Sequence, residues 1–438
     1  MHNGRMFELG EQHAMVGQMV RRWCEANLAP AVPALERGEV QPFDLMRRMA
    51  RTFGLDAMAR AALGKRIARM RAEASAAAGP GDRGGGGDED GGRDGGVVGG
   101  EDGGGGMDDP LLGFVVIKEL ARVSPGFAMG FGVSVGLAGG AIAARGTADQ
   151  IERWAVPLAT SEKIGSWCLT EPGAGSDAFG SMQTTARPAG AGEDGQGGFV
   201  LRGSKTFITN GPGADLFVVY ARVDRGEPRE EQEVAAFVVE RGMAGFTVGP
   251  PFKKMGMRDS PTSEIFFDDV RLPGDHLLGD GGGRGRGGRH HTKENLSAER
   301  SAVPAMAWGI IERCYEQSLA YARARRQFGR PIGEFQAVQL KLADMYIKLK
   351  NVENLVFRTA WMQRRKLRDP AFVNASKAYA AAAAIEVAMT AIQVHGGYGY
   401  MEEVGLEKLA RDAKLLELGA GTTDINLLAA ARAELERT

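Results

Sequence analysis

GGFVLRGSKTFITNG, residues 197–211, is where the chain changes character. Valine, phenylalanine, isoleucine and threonine replace the alanine, leucine and methionine that dominate upstream. Similar short runs follow at LFVVYARV (216–223), VAAFVVER (234–241), GFTVGP (245–250) and SEIFFDDVRLP (263–273), separated by Gly, Pro and Asp. Runs of this length rich in β-branched and aromatic residues, bounded by turn formers, predict strands. Their spacing from about 164 to 273 predicts a barrel or sandwich.

Both flanks read as helix. Phe7, Val16, Met19, Val20 and Trp23 recur at roughly helical spacing, as do Leu45, Met46, Met49, Phe53 and Leu55. LLGFVVIKELARV (111–123) and GVSVGLAGGAIAARG (132–146) are apolar enough for core helices, and Gly146-Thr147 marks a turn and N-cap before another. Beyond the strands, helices are predicted at roughly 296–325, 334–365, 370–394, 403–417 and 423–436. The alanines of 370–394 leave room for a neighbouring helix to pack closely. The expected fold is therefore α+β: an N-terminal helical domain (1–163), a middle β domain (164–273) and a C-terminal helical domain (274–438). Two glycine-rich polar stretches interrupt it, at about 79–106 and 279–291. The first is too poor in apolar residues to offset its ordering entropy and reads as a flexible surface insertion. It has no preceding strand, no following Lys-Ser/Thr, and many acids that repel phosphate, so it is not a phosphate-cradling loop. The second reads as a solvated linker.

A length of 438 residues is consistent with about three domains. A net charge of −1 argues against nucleic acid as the main partner. No apolar run is expected to span a bilayer, and MHNGRMFELGEQ lacks a basic-then-apolar signal pattern. Cys24, Cys168 and Cys314 are too far apart for metal-ligand spacing and odd in number, so no metal site and a reducing, cytoplasmic compartment are expected.

Four stretches carry chemistry. WCLTEPGAGSDAFGS (167–181) is a rigid turn whose N–H groups, with Thr170, Ser176 and Asp177, suit an anionic or carbonyl-rich ligand. In GSKTFITNG (203–211), Phe207 and Thr209 fall on one face of a regular strand, an aromatic beside a hydroxyl that suits a planar ring. ARRQFGRPIGEFQ (324–336) places Arg325 and Arg326 at a helix end, where guanidinium groups can grip phosphate. QVHGGYGYMEE (393–403) leads into RDAKLLELGAGTTDI (411–425), with small residues that allow close backbone approach.

Taken together, LTEPGAGSD, KTFITNG, KKMGMRDSPTSEIFFDDVRLP, RRQFGRPI and HGGYGY resemble the acyl-CoA dehydrogenase family in content, order and spacing, over nearly the whole chain. The resemblance implies non-covalent FAD. Leu169, Thr170, Gly175 and Ser176 match positions that hold the flavin ring and pyrophosphate. Phe207 matches the aromatic packed on the isoalloxazine, and Thr209 the residue beside N5. Arg325, Phe328, Gln336, Gln393 and Gly397 match contacts to the adenine dinucleotide part, largely from a neighbouring subunit, and Thr422 and Asp424 sit where the last helix meets FAD. On the substrate side the matching positions are Ser176, Arg300 and Ala420. The implied reaction is α,β-dehydrogenation of an acyl-CoA thioester. A carboxylate removes the α-proton, hydride passes to flavin N5, and electrons go on to an electron-transfer flavoprotein. A homotetramer is implied as well.

One departure matters. Most members carry the base as a glutamate immediately before the Gly-Thr of the 419–422 turn, and here that position is Ala420. Its N–H can still meet the thioester oxygen, but its methyl group can take no proton. Glu417 is one helical turn upstream and faces elsewhere, and Asp424 is short and in the flavin-contacting region. Glu299 matches the base position used by isovaleryl- and long-chain-type members, and is the expected base. Two other readings stay open: a related thioester-acting flavoenzyme such as a desulfinase or an oxidase, and a non-catalytic FAD- or CoA-binding subunit of a heteromeric complex.

Overall fold

A computed structural model describes residues 8–77, 109–191, 197–279 and 288–437. The 79–106 insertion and most of the 279–291 stretch lie outside the described residues. The N-terminal helices are α1 (Glu11–Trp23), α2 (Val32–Glu36), α3 (Phe43–Thr52), α4 (Leu55–Ala77), α5 (Pro110–Ala121), α6 (Pro125–Phe131), α7 (Gly140–Arg145), α8 (Ala148–Gln150) and α9 (Val156–Ala159). Their starts follow local chemistry. Asp109 caps the Leu111 N–H ahead of Pro110, and Thr147 with Gln150 forms a reciprocal capping box at the predicted N-cap.

One expectation is corrected here. Among the described residues one continuous helical run, Pro125–Arg145, is long and apolar enough by length and composition to cross a membrane, contrary to the sequence reading. Half of it is buried in the molecule. Phe127, Val133, Leu137, Ala138 and Ile142 point into the core, so the run packs as a core helix.

The middle domain is a seven-stranded curled sheet. Its strands are β1 (Gly165–Cys168), β2 (Thr185–Ala191), β3 (Gly197–Thr209), β4 (Leu216–Val223), β5 (Val234–Glu240), β6 (Phe246–Val248) and β7 (Thr262–Leu272). Strands β3 to β7 are the five runs predicted. The sequence reading did not single out β1 and β2, which are short or carry Pro188 and three alanines. Strand β4 is buried throughout and pairs with β1 and β2 in parallel and with β5 antiparallel. Its alternation serves two cores. Leu216, Val218 and Tyr220 face Trp154 and the α7–α9 helices, while Phe217, Val219 and Ala221 join Phe237 and Phe246 in the main core.

The C-terminal domain comprises α10 (Gly288–Ala324), α11 (Gln336–Arg364), α12 (Pro370–His395), α13 (Leu406–Leu418) and α14 (Thr423–Leu435), close to the predicted spans but for the start of α10. Helix α10 starts inside the expected linker, because no Gly or Pro follows Gly288 until Pro304. Ala380, Ala381, Ala384, Ala388 and Ala391 of α12 are buried, giving the close packing their size predicts.

The three domains meet at one buried charge cluster. Lys408 on α13 lies 3.1 Å from Asp259 and 3.6 Å from Glu36, and also pairs with Asp412. Asp259 accepts from Ser124, the N-cap of α6, and Asp412 accepts the Met257 N–H. Arg411 reaches Glu36 at 3.1 Å. Oxygens of Glu36, Asp259 and Asp412 lie within 4.8 Å of one another, a spacing that suits a cation, and the Lys408 ammonium is that cation. A side chain at Gly256 would fall on the Arg411 carbonyl, so glycine is what lets the 255–259 loop dock against α13.

Candidate active site

Strand β1 delivers Leu169 and Thr170 to a tight turn in which Glu171 and Ala174 exchange backbone hydrogen bonds at 3.2 and 3.1 Å. This is the turn expected around Gly173. Gly175 and Ser176 are exposed beyond it, with open space where a Cβ at Gly175 would stand. Asp177 is used locally, accepting from the Gly180 N–H and the Ser181 hydroxyl. The turn is held from below by a group that sequence reasoning missed. Lys205, 0% exposed, donates to the Leu169 carbonyl at 3.1 Å and to Glu171 Oε1 at 2.8 Å. Glu171 also accepts the N–H groups of Gln183 and Thr184 at 2.6 and 2.9 Å. Burial raises the Glu171 carboxyl, but the Lys205 charge and these donors outweigh it and hold the group below its ordinary range. Both residues lie inside motifs singled out for other members, so the signal was present but unread.

Lys205→Met is expected to lose about 3 kcal/mol in chemical denaturation, the lower end for breaking a buried pair, because Glu171 keeps its two amide donors. Wild-type stability in that variant would contradict the role given to the pair.

Strand β3 is not regular where Phe207 sits. Its pairing with β7 slips between Lys205 and Ile208, a bulge with Phe207 in the left-handed region at φ 58°. This corrects the regular-strand reading. Lys205 and Thr206 are both buried in succession, and Phe207 is turned out at 68% exposed, 5.7 Å from Phe252. Thr209, half-buried, lies beyond the buried Ile208, and its carbonyl accepts from Ser166 at 2.8 Å. Thr206 N–H bonds the Thr170 carbonyl at 2.9 Å, so strand and turn form one surface.

The residues expected on the dinucleotide side lie at exposed element ends of the C-terminal domain. Helix α10 ends at Ala324, and Arg326 enters a small hairpin of β8 (Arg326–Gln327) and β9 (Arg330–Pro331), one step beyond the expected helix end. Arg325 lies 5.9 Å over the Tyr398 ring, next to Gly397. Gln336 opens α11, and Gln393 lies in the last turn of α12. Phe328 is 93% exposed at the hairpin tip. Gln336, Gln393 and Gly397 are exposed as well. Of the glycines in HGGYGY, Gly399 makes the close approach, since a Cβ there would meet the Ile392 carbonyl, while Gly396 serves as a positive-φ cap.

The 419–422 turn is tightly built. Ala420 and Gly421 are left-handed at φ 55° and 84°. Thr422 caps α14 through the Ile425 N–H at 3.3 Å, and Asn426 donates to the Gly421 and Thr422 carbonyls. Arg300 Nε donates to the Ala420 carbonyl at 3.1 Å, and Lys377 Nζ to the Gly421 carbonyl at 2.6 Å. The Arg300 bond seats the helical turn that carries Glu299 directly on the 420 turn. Burial lifts the Glu299 carboxyl to about 7, against the pull of Arg300 and Lys377. Glu417 is drawn to Lys414 at 2.5 Å, and Asp424 is exposed. Lys377, another residue not found from sequence, is the one charge in NASKAYAAAAAI (374–385).

Models of the acyl-CoA dehydrogenase N-terminal, middle and C-terminal domains match residues 90–162, 166–270 and 286–435. An acyl-CoA dehydrogenase of Bacillus subtilis (strain 168) is 31% identical over 418 residues, covering 95% of this chain and 96% of that protein. The chain belongs to the acyl-CoA dehydrogenase family. The mitochondrial isovaleryl-CoA dehydrogenase of Arabidopsis thaliana is 36% identical over 318 residues, 73% of this chain and 75% of its own length. The butyryl-CoA dehydrogenase structure from Megasphaera elsdenii superposes with a TM-score of 0.80 at 30% identity, covering 98% of this chain and 100% of that one. This acyl-CoA dehydrogenase is thus an oxidoreductase acting on acyl-CoA, with FAD as its cofactor. Its residues fit that group. Phe207 offers an exposed ring on a rigid bulge, the 169–176 turn offers backbone groups beside open space at Gly175, and the exposed Arg325 guanidinium and Phe328 ring offer a phosphate grip and an aromatic face.

Proposed function

We propose that this acyl-CoA dehydrogenase uses Glu299 as the base that removes the α-proton of an acyl-CoA thioester, giving the trans-2-enoyl-CoA. The observation that carries this reading is the Arg300–Ala420 hydrogen bond, which puts the Glu299 turn of α10 against a loop that has no acid of its own. FAD, when bound, supplies the acceptor for the hydride that leaves the β-carbon. Glu299 holds the proton taken from the α-carbon, and the main-chain N–H of Ala420 donates to the thioester oxygen as negative charge grows there. Leu169, Thr170, Gly175, Ser176, Phe207 and Thr209 hold the ring side of the cofactor. Arg325, Phe328, Gln336, Gln393, Gly397, Thr422 and Asp424 serve its dinucleotide side.

A base with its carboxyl lifted to about 7 must lose its proton before it acts. The rate of anaerobic flavin reduction is therefore expected to rise with pH through about 7 and level off above it. Stopped-flow reduction between pH 5.5 and 9 reads this directly, and a rate flat across that range removes Glu299 as the titrating base.

Electrons are proposed to pass to an electron-transfer flavoprotein, and the chain to assemble as a homotetramer in the cytoplasm. Assembly is supported by exposed Leu340, Ile347, Met389, Leu427 and Leu428 on the C-terminal helices, and a reducing compartment by three buried free cysteines. The absence of an acid at 420 also favours a non-catalytic subunit. Purification separates the two: a yellow homotetramer that reduces an artificial acceptor with acyl-CoA supports the enzyme, and a colourless chain stable only beside a partner supports the subunit.

A further inference from the structure

We propose that Lys377 is a positioning residue for this reaction, holding the 419–421 turn by its carbonyls from behind while its charge acts on Glu299. The inference rests on Glu299 being the base. Lys377 lies on α12, 0% exposed, with its ammonium 2.6 Å from the Gly421 carbonyl and 3.5 Å from that of Glu417. Among the described residues no carboxylate closes an ion pair with it. A fully buried ammonium served by carbonyls alone is costly, and a methionine of similar volume would fill the space without that cost. The cost is balanced by two things a methionine lacks: a donor for the turn and a positive charge that pulls on the half-buried Glu299 carboxyl.

The geometry gives the donor its purpose. Both left-handed residues of the turn have their carbonyls taken from the protein side, Ala420 by Arg300 and Gly421 by Lys377. With these carbonyls drawn back, the two peptides that follow the 420 N–H are fixed in direction, which restrains Ala420 and so the aim of its N–H, as a donor to a developing oxyanion requires. The charge has a second effect. The Glu299 carboxyl feels the charges of Arg300 on its own helix and of Lys377 on α12, both pulling it down. Lys377 is faced by Arg300 and Glu299 on α10 and by Glu417 on α13, and burial brings it down to about 8. The two cations together keep the base from rising as far as burial alone would take it, so that it ionises near neutrality.

The test compares Lys377→Met and Lys377→Arg with the parent FAD-loaded enzyme. Removing the charge is expected to move the midpoint of the flavin-reduction pH profile upward by about one unit, while arginine holds it near the parent value. A second readout needs no turnover. An acyl-CoA analogue with sulfur in place of the β-carbon cannot be dehydrogenated, and the pH at which it loses its α-proton beside the flavin, seen as long-wavelength absorbance, is expected to shift the same way. If the methionine variant does not fold, Lys377→Gln keeps a donor for Gly421 without the charge and is expected to show the same shift. A folded, FAD-loaded neutral variant with unmoved midpoints in both readouts overturns the proposal. Failure of the underlying reading looks different: Glu299→Gln would then retain flavin reduction, whatever Lys377 does.

Discussion

Glu299→Gln is expected to bind FAD and acyl-CoA and to lose anaerobic flavin reduction by about three orders of magnitude or more. Glutamine keeps the size and much of the hydrogen-bonding capacity of the side chain, so the turn at 420 and the helix contact through Arg300 should survive. What it cannot do is accept the proton. General-base assistance is typically worth about 10²–10⁴ in rate, and the α-proton of a thioester is acidic too weakly to leave unaided. The neighbouring acids do not stand in: Glu417 is held by Lys414, and Asp424 is exposed. The loss should therefore fall on the maximal reduction rate rather than on substrate affinity, the signature of an interaction made in the transition state. Near-normal bleaching by this variant would take Glu299 out of the mechanism.

Lys408→Met is expected to cost about 3–5 kcal/mol of unfolding free energy, at the upper end of that range. The substitution removes the ammonium shared by Glu36, Asp259 and Asp412 and leaves three carboxylates facing one another at the junction of the domains. Burial and Asp259 already lift the Asp412 carboxyl to about 6, against the pull of Lys408. Without Lys408 it should be protonated over a wider pH range. Since Asp412 binds more protons folded than unfolded between about 4 and 6, its own contribution to stability is greatest at low pH and declines as pH rises through about 6. The variant should accordingly be least impaired in mild acid. Adding Asp259→Asn should recover part of the loss, and denaturation curves at pH 5.5 and 8 measure both effects. A single substitution that unfolds no more readily at pH 8 than the parent would refute this account of the junction.

Much of the architecture was legible because it follows local rules. The C-terminal helices were bounded by Pro370, by Gly405 and by Thr422, and their predicted spans stand within a few residues, apart from the earlier start of α10. Strands β3 to β7 carried strong β-branched signals, whereas β1 and β2 owe their place to pairing with β4, a non-local cause that a single run of residues does not display. The bulge at Phe207 was hidden for the same reason: an extra residue is visible only against the partner strand. The apolar run Pro125–Arg145 was underrated because its apolarity is spread over glycine, alanine and valine. At the site, motif positions exposed the surface that meets the cofactor, but not its supports. Lys205 and Lys377 come from segments distant in sequence, and their roles exist only once strand, turn and helix are brought together.

The Arg300 and Lys377 clamps on successive peptide oxygens have a consequence for how the enzyme can diversify. Because the loop is shaped through its main chain, the identity of residue 420 is decoupled from the loop's form. With Glu299 as the proposed base, that position could exchange one small side chain for another without disturbing the scaffold, so variation there would offer a route to new acyl groups.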